Sequence, residues 1–236
     1  MLKTIPRHLR GRFQSRPESF GRSVLGAPLD LFLPANGKII GLVVAGQHGN
    51  EPETTVLVSS VLRSVEPSLL CCAVVTSLNP DGLSRGTRCN ANGVDLNRNF
   101  PAANWSAAPA VYSWNDENPR DTELSPGNAP GSEPETQALI EVVRRYGVKT
   151  VVSLHAPLGC IDDPKRTRLG TWLANTSGLP LVSGVGYVTP GSLGAWGLEH
   201  DVSVITLELP FDTIQNHRRR YTAMLADLLT DGRRWL

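Results

Sequence analysis

The stretch from residue 38 to residue 78 limits the possible folds of this chain more than any other. Two short apolar runs, KIIGLVVAG (38–46) and LLCCAVVTSL (69–78), lack the polar alternation of a half-exposed strand and read as strands buried on both faces. Between them Leu57, Val58, Val61, Leu62 and Val65 recur on one helical stripe, and Pro52 suits the first turn of that helix. Strand, helix and strand in so short a span form a βαβ unit, which implies parallel pairing and a right-handed crossover.

The rest of the chain extends the alternation. An amphipathic helix is expected over 133–147, a buried strand over 149–157, a helix over 166–178, a buried strand over 202–210 and a terminal helix after it. The pattern predicts an α/β fold: a single-domain three-layer α/β/α sandwich with a mixed, mostly parallel sheet over residues 23–236, preceded by a basic N-terminal arm over 1–22. Residues 79–101 carry turn signals, and 102–133 lack periodicity. The latter stretch reads as a long loop over the active-site face, with Trp105, Tyr112 and Trp114 either lining an entrance or anchoring the loop.

A formal net charge of +1 makes no case for nucleic acid or an anionic membrane as partner. No apolar run approaches the ~20 residues that span a bilayer. The opening 22 residues are basic but lack the apolar core of a secretory signal, so a cytoplasmic protein is expected, as monomer or homodimer. Cys71, Cys72, Cys89 and Cys160 form no C-x-x-C pair and read as reduced thiols. His8, His200 and His217 are expected at the surface, His217 at the head of the basic run HRRR.

Three buried strands end in reactive side chains: the first in His48 and Glu51, the third in His155, the last in Glu208. In open α/β sheets ligands bind beyond the carboxyl ends of the strands, so parallel strands would bring these groups together. Two imidazoles and a carboxylate suit one Zn²⁺ with a fourth position left for water. Glu208 would then take a proton from that water and return it to a leaving amine. Arg85, Arg88 and Arg98, in SRGTRCNANGVDLNRNFP, can clamp a carboxylate or polarise a carbonyl.

At this point HGNE, NPDG, RGTR, GVDLNRNFP, GSEPET, SLH and TLELP, in that order over residues 38–212, resemble the zinc carboxypeptidase family. The resemblance implies His48, Glu51 and His155 as zinc ligands, a set already known for the family, with Glu208 as general base. It implies Arg85 as the oxyanion-stabilising arginine, Asn97 and Arg98 as the grip on a terminal carboxylate, and Asp95 as the carboxylate that orients the first zinc histidine. Tyr187 falls near the family's mobile substrate-binding tyrosine.

Within the family, HGNEPE, HAPLGCIDDP and TPGSLGAWG look most like the cytoplasmic branch that acts on murein peptides in cell-wall recycling, cutting the amide between γ-D-glutamate and meso-diaminopimelate. The implied partner is a small murein peptide with a free carboxylate; Arg88 belongs to its expected binding residues, and Asp162 and Asp163 are candidates for the distal ammonium. One departure is Ala156, where an acidic residue is expected after the third ligand. The competing readings are a carboxypeptidase of other specificity and an acyl-amino-acid deacylase of the aspartoacylase or succinylglutamate desuccinylase type. The deacylases usually carry a further domain after the catalytic glutamate, and only about one helix follows Glu208 here.

Overall fold

The computed structural model describes residues 5–113 and 121–235. In chain order its elements are β1 (Glu18–Arg22), β2 (Pro28–Phe32), β3 (Leu42–Val44), α1 (Pro52–Leu62), β4 (Ala73–Val75), α2 (Pro80–Arg85), β5 (Ala110–Ser113), β6 (Asp121–Leu124) and α3 (Pro134–Arg145). They continue as β7 (Thr150–His155), β8 (Leu158–Asp162), α4 (Arg168–Ser177), β9 (Leu181–Val182), α5 (Leu193–Glu199), β10 (Ser203–Pro210) and α6 (Ile214–Thr230). Among the described residues an eight-stranded sheet has the order β1-β2-β4-β3-β7-β10-β8-β9. Pairing is parallel through β4, β3, β7 and β10 and again between β8 and β9; it is antiparallel at β1–β2–β4 and β10–β8.

Helices cover both faces, as the βαβ alternation requires. Leu57, Val58 and Val61 of α1, Leu169 and Leu173 of α4 and Met224, Leu225 and Leu228 of α6 pack with Val43, Val152 and Leu207 on one side. Leu139 and Val143 of α3 and Leu193 and Trp196 of α5 pack with Val44, Val151 and Val204 on the other. Alternate residues of one strand serve opposite cores, which is the period of two expected for a sheet buried on both faces.

Four local expectations change. The chain before residue 23 is not a free arm: β1 forms the sheet edge, Ile5 is buried and donates its N–H to Ser64 O at 2.9 Å, and Phe13 packs on Phe32. The long loop carries an antiparallel β5–β6 ribbon, and Trp105 donates Nε1–H to Pro126 O at 3.4 Å, an anchoring contact. Trp114 lies outside the described residues. Antiparallel β8 follows β7 at once, where no strand was expected.

His217 is 1% exposed, against its expected place at the surface. The reason is its spacing: His217, Tyr221, Met224, Leu225 and Leu228 form the buried stripe of α6, and only the arginines that follow His217 face solvent. His8 and His200 are exposed as expected. No helix among the described residues is long and apolar enough to cross a membrane, and the four cysteines are unpaired.

Candidate metal centre and active site

The sheet register assembles the centre. In the parallel β7–β10 ladder Glu208 lies directly across from His155, so both side chains leave the same face at the carboxyl end of the sheet. That is the face of Val151 and Val204, covered by α3 and α5. β3 ends at Val44, and the chain turns through Gly46–Asn50 into α1, whose capping residue is Glu51. Pro52 at the first helical position lacks the N–H that would have been unsatisfied there. Gly49 holds this turn against α2: a Cβ there would collide with the backbone of Gly82 and Leu83. Its N–H reaches Arg88 O at 3.3 Å, which ties the His48 turn to the arginine segment.

His48, Glu51 and His155 converge, all buried. His48 Nδ1 lies 2.7 Å from Glu51 Oε1 and 3.1 Å from His155 Nδ1, and His155 Nδ1 lies 3.1 Å from Glu51 Oε2. Metal–ligand bonds of about 2.0–2.1 Å in a tetrahedral site place ligand atoms roughly 3.3–3.5 Å apart, so the triangle fits Zn²⁺ after a small expansion. Two imidazole nitrogens this close share at most one proton between them, and a cation relieves their lone-pair repulsion. Burial would raise the Glu51 carboxyl pKa, yet His48 and His155 hold it below the usual carboxylate range. Burial and Arg88 oppose protonation of His48, but Glu51 and Asp95 outweigh them and raise its pKa.

Asp95 stands behind His48. Its Oδ1 is 3.1 Å from His48 Nε2 and also accepts the Asn97 N–H at 2.8 Å, while Oδ2 takes the Arg88 Nε–H at 3.0 Å. Burial opposes ionisation of Asp95, and Arg88 and His48 override it, holding the pKa well below the usual value.

The arginines separate. Arg88 sits at the centre: beside its bond to Asp95, its guanidinium reaches Glu51 Oε1 at 3.2 Å. Arg85, expected to be the oxyanion arginine, is exposed on the last turn of α2, with no hydrogen bond or ion pair to the centre among the described residues. The physical reason is the left-handed Gly86 that ends α2, after which the chain reverses and aims Arg88, three residues on, at the centre. Arg98 is buried at 8% exposure; it donates to Asn97 O at 2.7 Å and its Nε has no partner. Burial lowers its pKa, with Asp95 opposing, and Tyr187 is near enough to act on it as well. Asn97 Oδ1 accepts the N–H of Leu193 at 3.0 Å and so fixes the start of α5 beside Arg98. Tyr187 is 59% exposed on the loop between β9 and α5.

Glu208 is 8% exposed and its Oε2 has no hydrogen-bond partner. Burial pushes its pKa up to about 7; His155 opposes the rise and Glu51 adds to it. A carboxylate that titrates near neutrality is suited to take up and release a proton in the working range.

The two adjacent acids also separate. Asp163 is fully buried and consumed by structure: it accepts from Lys165 N–H at 3.1 Å, Thr167 N–H at 2.6 Å and Thr167 Oγ1 at 2.7 Å, holding the turn before α4. It is not available to a substrate, against expectation. Asp162 keeps a shielded Oδ1 without a partner. Sequence reading missed Gln47, buried beside His48 with neither amide atom paired, and Thr206, two residues before Glu208 on the same face. The period of two along β10 was the available signal for Thr206. Ala156 donates its N–H to Glu51 Oε2 at 3.2 Å, so its backbone serves the centre whatever its side chain.

Known proteins resemble this chain closely. A family model described as zinc carboxypeptidase matches residues 70–158. Murein peptide amidase A of Escherichia coli K12 is 48% identical over 231 residues, which cover 97% of this chain and 96% of the relative. The protein of the same name from Vibrio campbellii is 43% identical over 95% of this chain and 93% of its own length. The crystal structure of murein-tripeptide amidase from E. coli O157 superposes with a TM-score of 0.93 at 46% identity, covering 98% of each chain. Carboxypeptidase A from Helicoverpa armigera shares the fold at a TM-score of 0.67 and 18% identity, over 92% of this chain and 68% of its own.

Proposed function

This chain belongs to the zinc carboxypeptidase family, and from that premise we propose that it hydrolyses the γ-D-glutamyl-meso-diaminopimelate amide of murein peptides in the cytoplasm, as a step in cell-wall recycling. The observation that carries the reaction type is the meeting of His48, Glu51 and His155 beside Glu208, a buried carboxylate with an unpaired oxygen. The identity to murein peptide amidases supports the substrate class.

His48, Glu51 and His155 would hold the metal, and Asp95 would keep the His48 ring oriented. Zinc in such a site supplies a Lewis acid that brings the pKa of water to about 7 and polarises a carbonyl. Glu208 takes the proton of the attacking water and delivers it to the departing nitrogen. Arg88, whose guanidinium already lies against Glu51, is assigned the oxyanion in place of Arg85. Arg98, with its unpaired Nε, and Asn97 receive the carboxylate of the leaving residue, and Tyr187 closes over them from its exposed loop. Monomer or homodimer is the assembly this reading takes.

The test is incubation of the zinc-loaded protein with L-Ala-γ-D-Glu-meso-diaminopimelate, N-acetylaspartate and plain L-dipeptides, with products identified by mass. Release of free diaminopimelate is expected. Cleavage of N-acetylaspartate without cleavage of the tripeptide would replace this reading with the deacylase one.

A further inference from the structure

The segment that carries Asn97 and Arg98 lies against the stretch that joins the Tyr187 loop to α5. Phe100 N–H donates to Gly191 O at 2.8 Å, Gly191 N–H donates to Asn104 Oδ1 at 3.1 Å, and Leu193 N–H donates to Asn97 Oδ1 at 3.0 Å. Gly191 is the tightest point of this seam. Its φ of +63° is left-handed, and an added Cβ would collide with Arg98 O and lie 2.7 Å from Trp105 Cδ1. The two segments close on each other because residue 191 has no side chain.

The loop of residues 183–190 is therefore held at both ends. At its start Arg166 Nε–H reaches Ser183 Oγ at 3.0 Å, an exposed contact. At its end stand the two bonds of Gly191. Between these points Tyr187 and Val188 are 59% and 78% exposed, and Gly186, left-handed at φ +88°, precedes Tyr187. Tyr187 is nevertheless near enough to Arg98 to act on its pKa. So exposed a side chain takes its position from the backbone that carries it, and that backbone is fixed against Arg98 at Gly191. Of the bonds that fix it, the one to Asn104 can be removed by substitution without touching Asn97 or Arg98. Asn104 is exposed, so water can replace its oxygen in a variant that still folds.

We infer that Asn104 is a positioning residue: by accepting the Gly191 N–H it pins the far end of the Tyr187 loop against Arg98 O, and so sets where Tyr187 meets the carboxylate of the leaving residue. The inference deepens the proposed function and rests on it for the substrate and for the role of Tyr187. Asn104 itself touches no substrate. Without it the loop is loose at one end, and substrate binding must supply the ordering that the bond had supplied in advance. That cost falls on the bound substrate and the transition state alike, so it raises KM and spares kcat.

The experiment measures Asn104→Ala, alone and in a Tyr187→Ala background, on L-Ala-γ-D-Glu-meso-diaminopimelate. Alone, the substitution is expected to raise KM by about 5–10-fold, the scale of one lost hydrogen bond, with kcat changed by less than about 2-fold. In the Tyr187→Ala background it is expected to change KM by less than about 2-fold, because the side chain it positions is gone. Chymotryptic cleavage after Tyr187, followed by mass, reads the attachment of the loop without turnover and is expected to be about 10-fold faster in Asn104→Ala. Thermal unfolding checks that the variants are folded. An unchanged KM, an equal loss in both backgrounds or an unchanged cleavage rate overturns the inference. Failure of wild type to cleave the tripeptide overturns the proposed substrate instead, and the chymotryptic rates then decide whether Asn104 holds the loop.

Discussion

Asp95 supports His48 from behind, its Oδ1 3.1 Å from Nε2 on the side of the ring opposite the metal-facing Nδ1. The same carboxylate accepts from Asn97 N–H and Arg88, so one residue fixes the ring of a ligand, the turn that bears Arg98 and the arginine at the centre. Buried carboxylates of this kind set the tautomer and basicity of a metal-binding histidine. Asp95→Asn is therefore expected to weaken zinc binding by about 10–100-fold. Chelator competition on the folded variant measures it, and an unchanged zinc affinity would show that Asp95 only shapes the loop.

The two arginines of SRGTR make a paired prediction. Arg88→Ala should lower kcat by roughly 10²–10³-fold at saturating zinc, because a charge aimed at a developing oxyanion acts mainly in the transition state. Arg85→Ala, at an exposed position, should change kcat/KM by less than about 3-fold, in keeping with surface substitutions. Steady-state kinetics of both variants decide the matter, and the reverse order would return the oxyanion role to Arg85.

Asp163 and Asp162 should differ in stability. Asp163→Ala removes acceptors for Lys165 N–H, Thr167 N–H and Thr167 Oγ1 in a fully buried turn, and a loss of about 2–3 kcal/mol is expected. For a chain of this length that corresponds to a fall of roughly 5–10 °C in Tm. Asp162→Ala removes an unpaired carboxylate oxygen and should leave Tm level or raise it. Calorimetric scans of the two proteins suffice, and equal losses would contradict the division of labour between them.

These contrasts mark where the sequence was legible. The buried strands and the helices between them follow from runs of apolar residues and their period, and the positions of His48, Glu51, His155 and Glu208 follow from strand ends in a parallel sheet. Position along an ordered element carries over into space. What did not carry over lies in turns and long-range pairing. The placement of Arg88, and not Arg85, against Asp95 and Glu51 depends on a left-handed glycine that ends α2, and the difference between Asp162 and Asp163 on which residue continues a strand that the apolar pattern did not announce. His217 was misplaced because three arginines beside it hid its place on the buried stripe of α6.

Glu208 yields a prediction independent of turnover. Its folded pKa of about 7, raised chiefly by burial, lies above the value near 4.3 of a free glutamate. Between these values the folded chain binds a proton that the unfolded chain has released. Stability therefore falls as pH rises through that window, and the deficit is fully present above pH 7. Glu208→Gln replaces the titrating group with a neutral isostere, so in the metal-free protein the variant should exceed wild type above pH 7 by about 1–3 kcal/mol, while the two converge below about pH 4.5. Zinc should narrow the gap, because a cation near Glu208 favours its charged form. Urea unfolding of both chelator-treated proteins at pH 5 and pH 8 reads the difference. The same substitution removes the proton carrier and should lower kcat by at least ~10²–10⁴-fold with zinc still bound. A Glu208→Gln protein that is less stable than wild type at pH 8 would mean that the fold holds Glu208 ionised, against the raised pKa.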